Sequence, residues 1–266
     1  MSQVAVITGA ASGIGAGLAR YAATQGMQVV IADRDAVQLE EVARSIGKAA
    51  LAVPTDVTDP AALEHLADHV WAAHGQVDYL FNNAGVLSTG FSWEIPAATW
   101  QRSLDVNIGG IVNSLRAFVP RLIASGRPAR IINTASVGGF LPSPMMAPYS
   151  ATKSAVVALT EALAGELAAL GSKLTVSLLA PGPVKSGIFR EPPPGSAQHF
   201  HAAMNAMLEQ HGLTPDEFAP LVFAAIARGD YWIIPQPEAL DDGFAARNAI
   251  IAARQPPQFY LVEDSA

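Results

Sequence analysis

The sequence of 266 residues predicts an α/β fold, a doubly wound, seven-stranded, mostly parallel sheet with helices on both faces. Three observations carry this. Short apolar runs alternate with longer helical patterns along the chain. The runs are apolar throughout rather than at every second residue, as strands covered on both faces must be. A glycine-rich turn joins the first run to the first helical pattern.

The strands are predicted at residues 4–8, 28–32, 49–53, 77–81, 130–134, 175–179 and 231–235, most of them rich in Val, Ile or Leu. Between them, residues 13–25, 36–46, 60–74, 97–124 and 148–170 accommodate 3.6-residue apolar periodicity. Asp59-Pro60 marks a helix start, with Asp as cap and Pro at the first helical position. Repeated strand–helix–strand units imply right-handed crossovers. No repeat and no linker divides the chain, so residues 1–266 read as one domain. Residues 185–214 are irregular, with Pro192-Pro193-Pro194-Gly195 ahead of a segment bearing Met and His. They read as an inserted loop with a short helix, a lid over about residues 186–214. The tail from Gln255 to Ala266 ends irregularly.

Thr8-Gly9-Ala10-Ala11-Ser12-Gly13-Ile14-Gly15 follows the first strand and opens the first helix, the context of a Rossmann-type phosphate-binding turn. Glycine lets the backbone approach a pyrophosphate closely. The helix N-terminus offers free N–H groups and a partial positive charge. No Lys-Ser or Lys-Thr follows, against a P-loop nucleotidase. Asp33 lies 18 residues after Gly15, at the end of the second strand. A carboxylate there accepts hydrogen bonds from the adenosine ribose and repels a 2′-phosphate, favouring NAD over NADP. Arg34 next to it softens that preference, so NADP stays open.

Tyr149-Ser150-Ala151-Thr152-Lys153 places Tyr and Lys four residues apart, on one helix face. A free tyrosine, with a pKa of about 10, is a poor base at neutral pH. A lysine ammonium one turn away is expected to lower that value, as general acid–base catalysis requires.

The chain resembles the short-chain dehydrogenase/reductases, in their shorter single-domain branch. The resemblance rests on Thr8–Gly15, Asp56, Asn82-Asn83-Ala84-Gly85, Asn107, Ser136, Tyr149, Lys153 and Pro181-Gly182, in family order over residues 4 to about 188. It implies interconversion of a secondary alcohol and a ketone. Ser136 would hydrogen-bond the substrate oxygen, Tyr149 would transfer the proton, and Lys153 would also hold the nicotinamide ribose. Asn107 would keep a water linking Lys153 to solvent. The cofactor would touch Gly9, Ser12, Gly13, Ile14 and Gly15 of the turn, with Asp33 and Arg34 beyond. Asp56 and Val57 would meet the adenine, and Asn83, Ala84 and Gly85 would line the cleft. Pro181, Gly182 and Val184 would pack on the nicotinamide. Ser186 stands where the family often has a threonine. The usual Asp-Gly-Gly after the last strand is replaced by Gln236-Pro237-Glu238, in a region that builds subunit interfaces in many relatives. A homodimer or homotetramer is expected. A looser similarity reaches bacterial dehydrogenases of lignin-derived aryl alcohols.

Two other readings stand beside this one. A redox-sensing NAD(P)-binding regulator would not need Ser136, Tyr149 and Lys153. A sugar-nucleotide epimerase or dehydratase shares Tyr-x-x-x-Lys, usually with a different glycine turn and a longer C-terminal part.

Composition narrows the field. The net charge of −7 does not advertise nucleic-acid or anionic-membrane binding. With no cysteine, disulfides, thiolate zinc sites and a cysteine nucleophile are excluded. The first apolar run is too short for a signal peptide or a membrane span, and a cytoplasmic location is expected. His199, His201, Glu209 and His211 read as solvated loop residues, with no metal expected. Phe189, Phe200, Met204, Met207 and Leu208 in the lid, with Phe140, Leu141 and Met145, predict an apolar pocket for a bulky or aromatic substrate.

Overall fold

In the computed structural model the described residues are 2–259. Met1 and the part of the predicted irregular tail at residues 260–266 lie outside them. Seven strands form one sheet in the order β3-β2-β1-β4-β5-β6-β7. They are β1 (Val4–Thr8), β2 (Gln28–Asp33), β3 (Ala50–Pro54), β4 (Tyr79–Asn82), β5 (Ala129–Thr134), β6 (Leu174–Leu179) and β7 (Trp232–Ile233). Every pairing is parallel. The predicted fold class holds, and the strands fall where the apolar runs place them. β4 shortens to four residues, and β7 contracts to two at the sheet edge. Pro235 and Pro237 beyond it bring no N–H to a ladder.

The helices are α1 (Gly13–Thr24), α2 (Ala36–Ile46), α3 (Pro60–His74), α4 (Ala97–Leu104), α5 (Gly110–Ser125), α6 (Val137–Phe140), α7 (Ala147–Ala169), α8 (Gln198–His211), α9 (Pro215–Arg228) and α10 (Asp241–Ala252). Asp59 caps α3 as expected, accepting from the Ala61 N–H, with Pro60 in the first turn. The helix predicted over 97–124 runs as α4 and α5, joined by a π-helical turn at Asp105–Gly109. The short helix expected in the inserted segment is the fourteen-residue α8. Three helices go beyond the predicted set, the four-residue α6 and the longer α9 and α10. Thr214 and Glu217 form a reciprocal capping box at the start of α9.

Strand pleating explains why both faces are covered. Ala5 and Ile7 point to one face, where they pack with Leu18 of α1 and Phe218 and Val222 of α9. Val4 and Val6 point to the other, against Leu63 and Leu66 of α3 and Phe118 and Leu122 of α5. Strand order reverses between β1 and β4, and such a reversal opens a crevice at the C-terminal ends of the strands. No helix among the described residues is long and apolar enough to cross a membrane.

Candidate active site

The glycine turn is built by close approach. β1 ends at Thr8, whose Oγ1 accepts from the Asn83 and Ala84 N–H groups at 3.0 and 3.2 Å. The Asn83 amide donates to the Thr8 carbonyl at 3.1 Å. The exits of β1 and β4 are thereby stapled together. Gly9 has φ +67°, and a Cβ there would sit 2.7 Å from the Ala84 Cα. A Cβ at Gly15 would lie 2.2 Å from the Gly9 carbonyl oxygen. α1 then starts after Ser12, whose side chain makes no capping hydrogen bond. Its first N–H groups are left for another acceptor.

Asp33 has a task that its position in the sequence does not reveal. One carboxylate oxygen accepts from the Ala11 N–H at 3.1 Å, the other from the Asp35 N–H at 3.0 Å. It fastens the glycine turn from the side. Asp56 is exposed and holds its own turn, accepting from the Thr58 N–H and hydroxyl at 2.9 and 2.8 Å.

Across the crevice, α7 carries Tyr149 and Lys153 on one face. Lys153 is 4% exposed and donates to the Thr134 carbonyl at 2.8 Å. Burial pulls its pKa down to about 8. Its Nζ lies 5.8 Å from the centroid of the Tyr149 ring. Burial pushes the Tyr149 phenol above its ordinary value, and a hydrogen bond with Ser136 pulls the other way without reversing it. This corrects the expected lysine tuning of Tyr149: desolvation dominates, and Lys153 adds no resolved lowering. The Ser136 hydroxyl also accepts from the Gly138 N–H at 3.1 Å, capping α6.

Asn107 sits fully buried in the π-helical turn. Its Oδ1 accepts from the Val86 N–H at 2.8 Å, and its amide donates to the Val86 carbonyl and to the Thr152 hydroxyl. The side chain ties the irregular segment after β4 to α7. Asn82 likewise donates to Asn133, which donates to Thr160 of α7.

One cleft of about 500 Å³ runs along these strand ends. It is lined by every catalytic and cofactor-binding candidate named from the sequence except Gly15 and Asn107. Gly15 packs under the turn and Asn107 under the floor. Arg102, Val106 and Glu191 also line it, unforeseen from the sequence. Arg102 and Val106 come from α4 and the adjoining π-helical turn, and Glu191 comes from the segment after β6, which meets them only in three dimensions.

A family model described as short chain dehydrogenase matches residues 3–195. The chain belongs to the short-chain dehydrogenase family. It is an oxidoreductase by that membership. A C alpha-dehydrogenase from a Sphingobium species is 34% identical over 250 residues, 89% of this chain and 81% of the relative. A 1-deoxy-11-beta-hydroxypentalenate dehydrogenase from Streptomyces avermitilis is 36% identical over 243 residues, 89% of this chain and 86% of that one. A crystal structure of a short chain dehydrogenase/reductase from Burkholderia phymatum in complex with NAD superposes with a TM-score of 0.93 at 35% identity, over 98% of each chain. The looser similarity to lignin-related bacterial dehydrogenases is thus also found.

This short-chain dehydrogenase departs from its family pattern after β7, and the structure gives those residues work. Gln236 is 6% exposed and donates to the Pro183 carbonyl at 2.9 Å, bracing the Pro181-Gly182-Pro183 turn. α10 packs Phe244 edge-on to Phe140. Of the predicted apolar pocket, Leu141, Phe189, Met204, Met207 and Leu208 line the cleft, joined by Met146. Phe140, Met145 and Phe200 do not. Phe140 is taken up by Phe244 and Trp232. Met145 adopts φ 60° and its carbonyl accepts from the Gly90 N–H. Both ring nitrogens of His201 are engaged, with the Thr89 hydroxyl and the Phe189 carbonyl, each at 2.9 Å.

Proposed function

We propose that this chain is an NAD-preferring dehydrogenase or ketoreductase that interconverts a bulky apolar or aromatic secondary alcohol and its ketone. The observation that carries the reading is that Ser136, Tyr149 and Lys153 line one wall of the cleft that the glycine turn closes at its other end.

The cleft fits a dinucleotide. A Cβ at Gly9 would fill the cradle, and the α1 N-terminus has no capping side chain of its own. Gly9, Ser12, Gly13 and Ile14 would hold the pyrophosphate. Gly15 supports them from below by letting the turn close. Asp33, with Arg34 beside it, would take the adenosine ribose, and its charge disfavours a 2′-phosphate. Asp56 and Val57 would face the adenine. Asn83, Ala84 and Gly85, with Pro181, Gly182, Val184 and Ser186, would border the nicotinamide half. When bound, the nicotinamide supplies the hydride acceptor or donor and, when oxidised, a positive charge.

Ser136 would hold the carbinol oxygen, and the Tyr149 hydroxyl would take or return its proton. Burial favours the protonated form of that hydroxyl, the form needed for ketone reduction. A positive charge brought beside it favours the phenolate, the form needed for oxidation. Lys153, anchored on Thr134, would steady the ribose, and Asn107 keeps α7 in register beneath it.

The inserted segment, about residues 186–214, would close over the substrate as a lid on a single catalytic domain. Its Met and Phe side chains favour an apolar substrate. Exposed Leu104, Val112 and Ile123 on α4 and α5 favour a face for a second copy of the chain. A cytoplasmic location fits the same reading.

The deciding test offers aromatic and aliphatic secondary alcohols with NAD and with NADP and follows the reduced-nicotinamide absorbance. Reduction of NAD by aryl alcohols is expected. No reduction of either cofactor by any alcohol, and no consumption of NADH or NADPH with the matching ketones, would sink the proposal.

A further inference from the structure

Arg102 of α4 and Glu191 of the segment after β6 are 89 residues apart and form an ion pair at the cleft. The pair uses one guanidinium nitrogen, Nη1, and one carboxylate oxygen. The Arg102 Nε–H is buried and has no acceptor. An orphaned donor of that kind costs about 1–3 kcal/mol, so a ligand that supplied an acceptor would recover it. Arg34, at the end of β2 beside Asp33, lines the same cleft. Burial, and after it the Arg34 charge, pushes the Arg102 pKa below its ordinary value. Two guanidiniums therefore share this part of the cleft, and one of them is only half-satisfied by a lid carboxylate. Guanidinium groups in this condition suit a phosphate, whose several oxygens accept from Nε and Nη together.

We propose that Arg102 is a phosphate-binding residue of the cofactor cleft and that Glu191 competes with that phosphate for it. The inference rests on the dinucleotide reading above. The phosphate has two sources with the same chemistry: the pyrophosphate common to both cofactors and the 2′-phosphate of NADP. In either case Glu191 occupies the guanidinium until phosphate arrives, and its release frees the segment it belongs to. Where the phosphate is the 2′-phosphate, Glu191 is a second determinant of cofactor choice, supplied by the lid rather than by the end of β2.

The test titrates wild type, Arg102→Gln and Glu191→Gln with NADH and NADPH by fluorescence, and with ADP and 2′,5′-ADP by calorimetry. Thermal melts confirm that both variants fold. Arg102→Gln is expected to weaken the ligands whose phosphate it holds by about tenfold or more, the worth of one charge-assisted hydrogen bond. Glu191→Gln is expected to tighten those same ligands. Weakening of NADH, NADPH and ADP by Arg102→Gln assigns the pyrophosphate, with 2′,5′-ADP, which has only a single 5′-phosphate, weakened as well where the adenosine-side phosphate is the one held. Weakening of NADPH and 2′,5′-ADP alone assigns the 2′-phosphate. Unchanged affinities in Arg102→Gln overturn the proposal. Glu191→Gln that leaves every affinity unchanged overturns the competition, and Glu191→Gln that weakens ligands as Arg102→Gln does reduces the pair to a clasp on the lid. Wild type that binds none of the four overturns the dinucleotide reading instead.

Discussion

The Lys153 ammonium donates to the Thr134 carbonyl, 2.8 Å away, at the C-terminal end of β5. That bond fixes where the charge sits: in the cleft wall, 5.8 Å from the centroid of the Tyr149 ring. A single carbonyl is a thin replacement for the water the ammonium leaves behind, and its pKa accordingly falls to about 8.

A stability profile follows from this. Below pH 8 the ammonium is charged in both folded and unfolded chains, and the burial cost is constant. Between about 8 and its unfolded value of 10.5 the unfolded chain holds the extra proton, so this group makes stability rise with pH. Lys153→Met should remove that rise, by about 3 kcal/mol across the window. Chemical denaturation of the unliganded protein at several pH values measures it. Parallel wild-type and Lys153→Met profiles would show that Lys153 is not the titrating group.

Tyr149→Phe removes one hydroxyl and nothing of the ring. Turnover with alcohol and with ketone should fall about 10²-fold or more, the usual contribution of a positioned acid or base. NADH affinity should stay within about twofold, because the ring still fills its place. An active Tyr149→Phe enzyme would place the proton transfer elsewhere.

Asp33→Asn separates two duties of one carboxylate. Loss of charge should shift the ratio of NADPH to NADH affinity towards NADPH by about tenfold, about 1.4 kcal/mol. The amide nitrogen cannot accept, so one of the Ala11 and Asp35 N–H bonds is lost and the melting temperature should drop by a few degrees. Fluorescence titration and calorimetry read the two effects separately. Wild type that binds NADPH more tightly than NADH would refute the electrostatic part.

Gly15→Ala should cripple cofactor binding without touching the cleft surface. Its Cβ would stand 2.2 Å from the Gly9 carbonyl oxygen, so the turn must open. NADH affinity is expected to fall by at least about tenfold, with a stability loss of about 1–3 kcal/mol from overpacking. Wild-type affinity would mean that the turn tolerates displacement.

Sequence alone was strong wherever a local rule applies. Continuous apolar runs placed all seven strands, because a strand buried on both faces cannot alternate. Thr8–Gly15 announced its turn because glycines are demanded there by the local backbone. Tyr149 and Lys153 fell on one face because helix geometry is periodic. Thr214, Pro215 and Glu217 carry the capping signal of α9, a helix that was not among the predicted ones.

Only the tertiary structure decided what depends on distant segments meeting. Asp33 turns out to brace Ala11 as well as to face the cleft, since β2 passes beside the glycine turn. Gln236 supports Pro183 across 53 residues. Arg102 reaches Glu191 across 89, a pairing that no spacing rule encodes. The acidity of Tyr149 belongs here too. Spacing put a lysine near it, but desolvation depends on everything packed around the pair, and burial sets the direction.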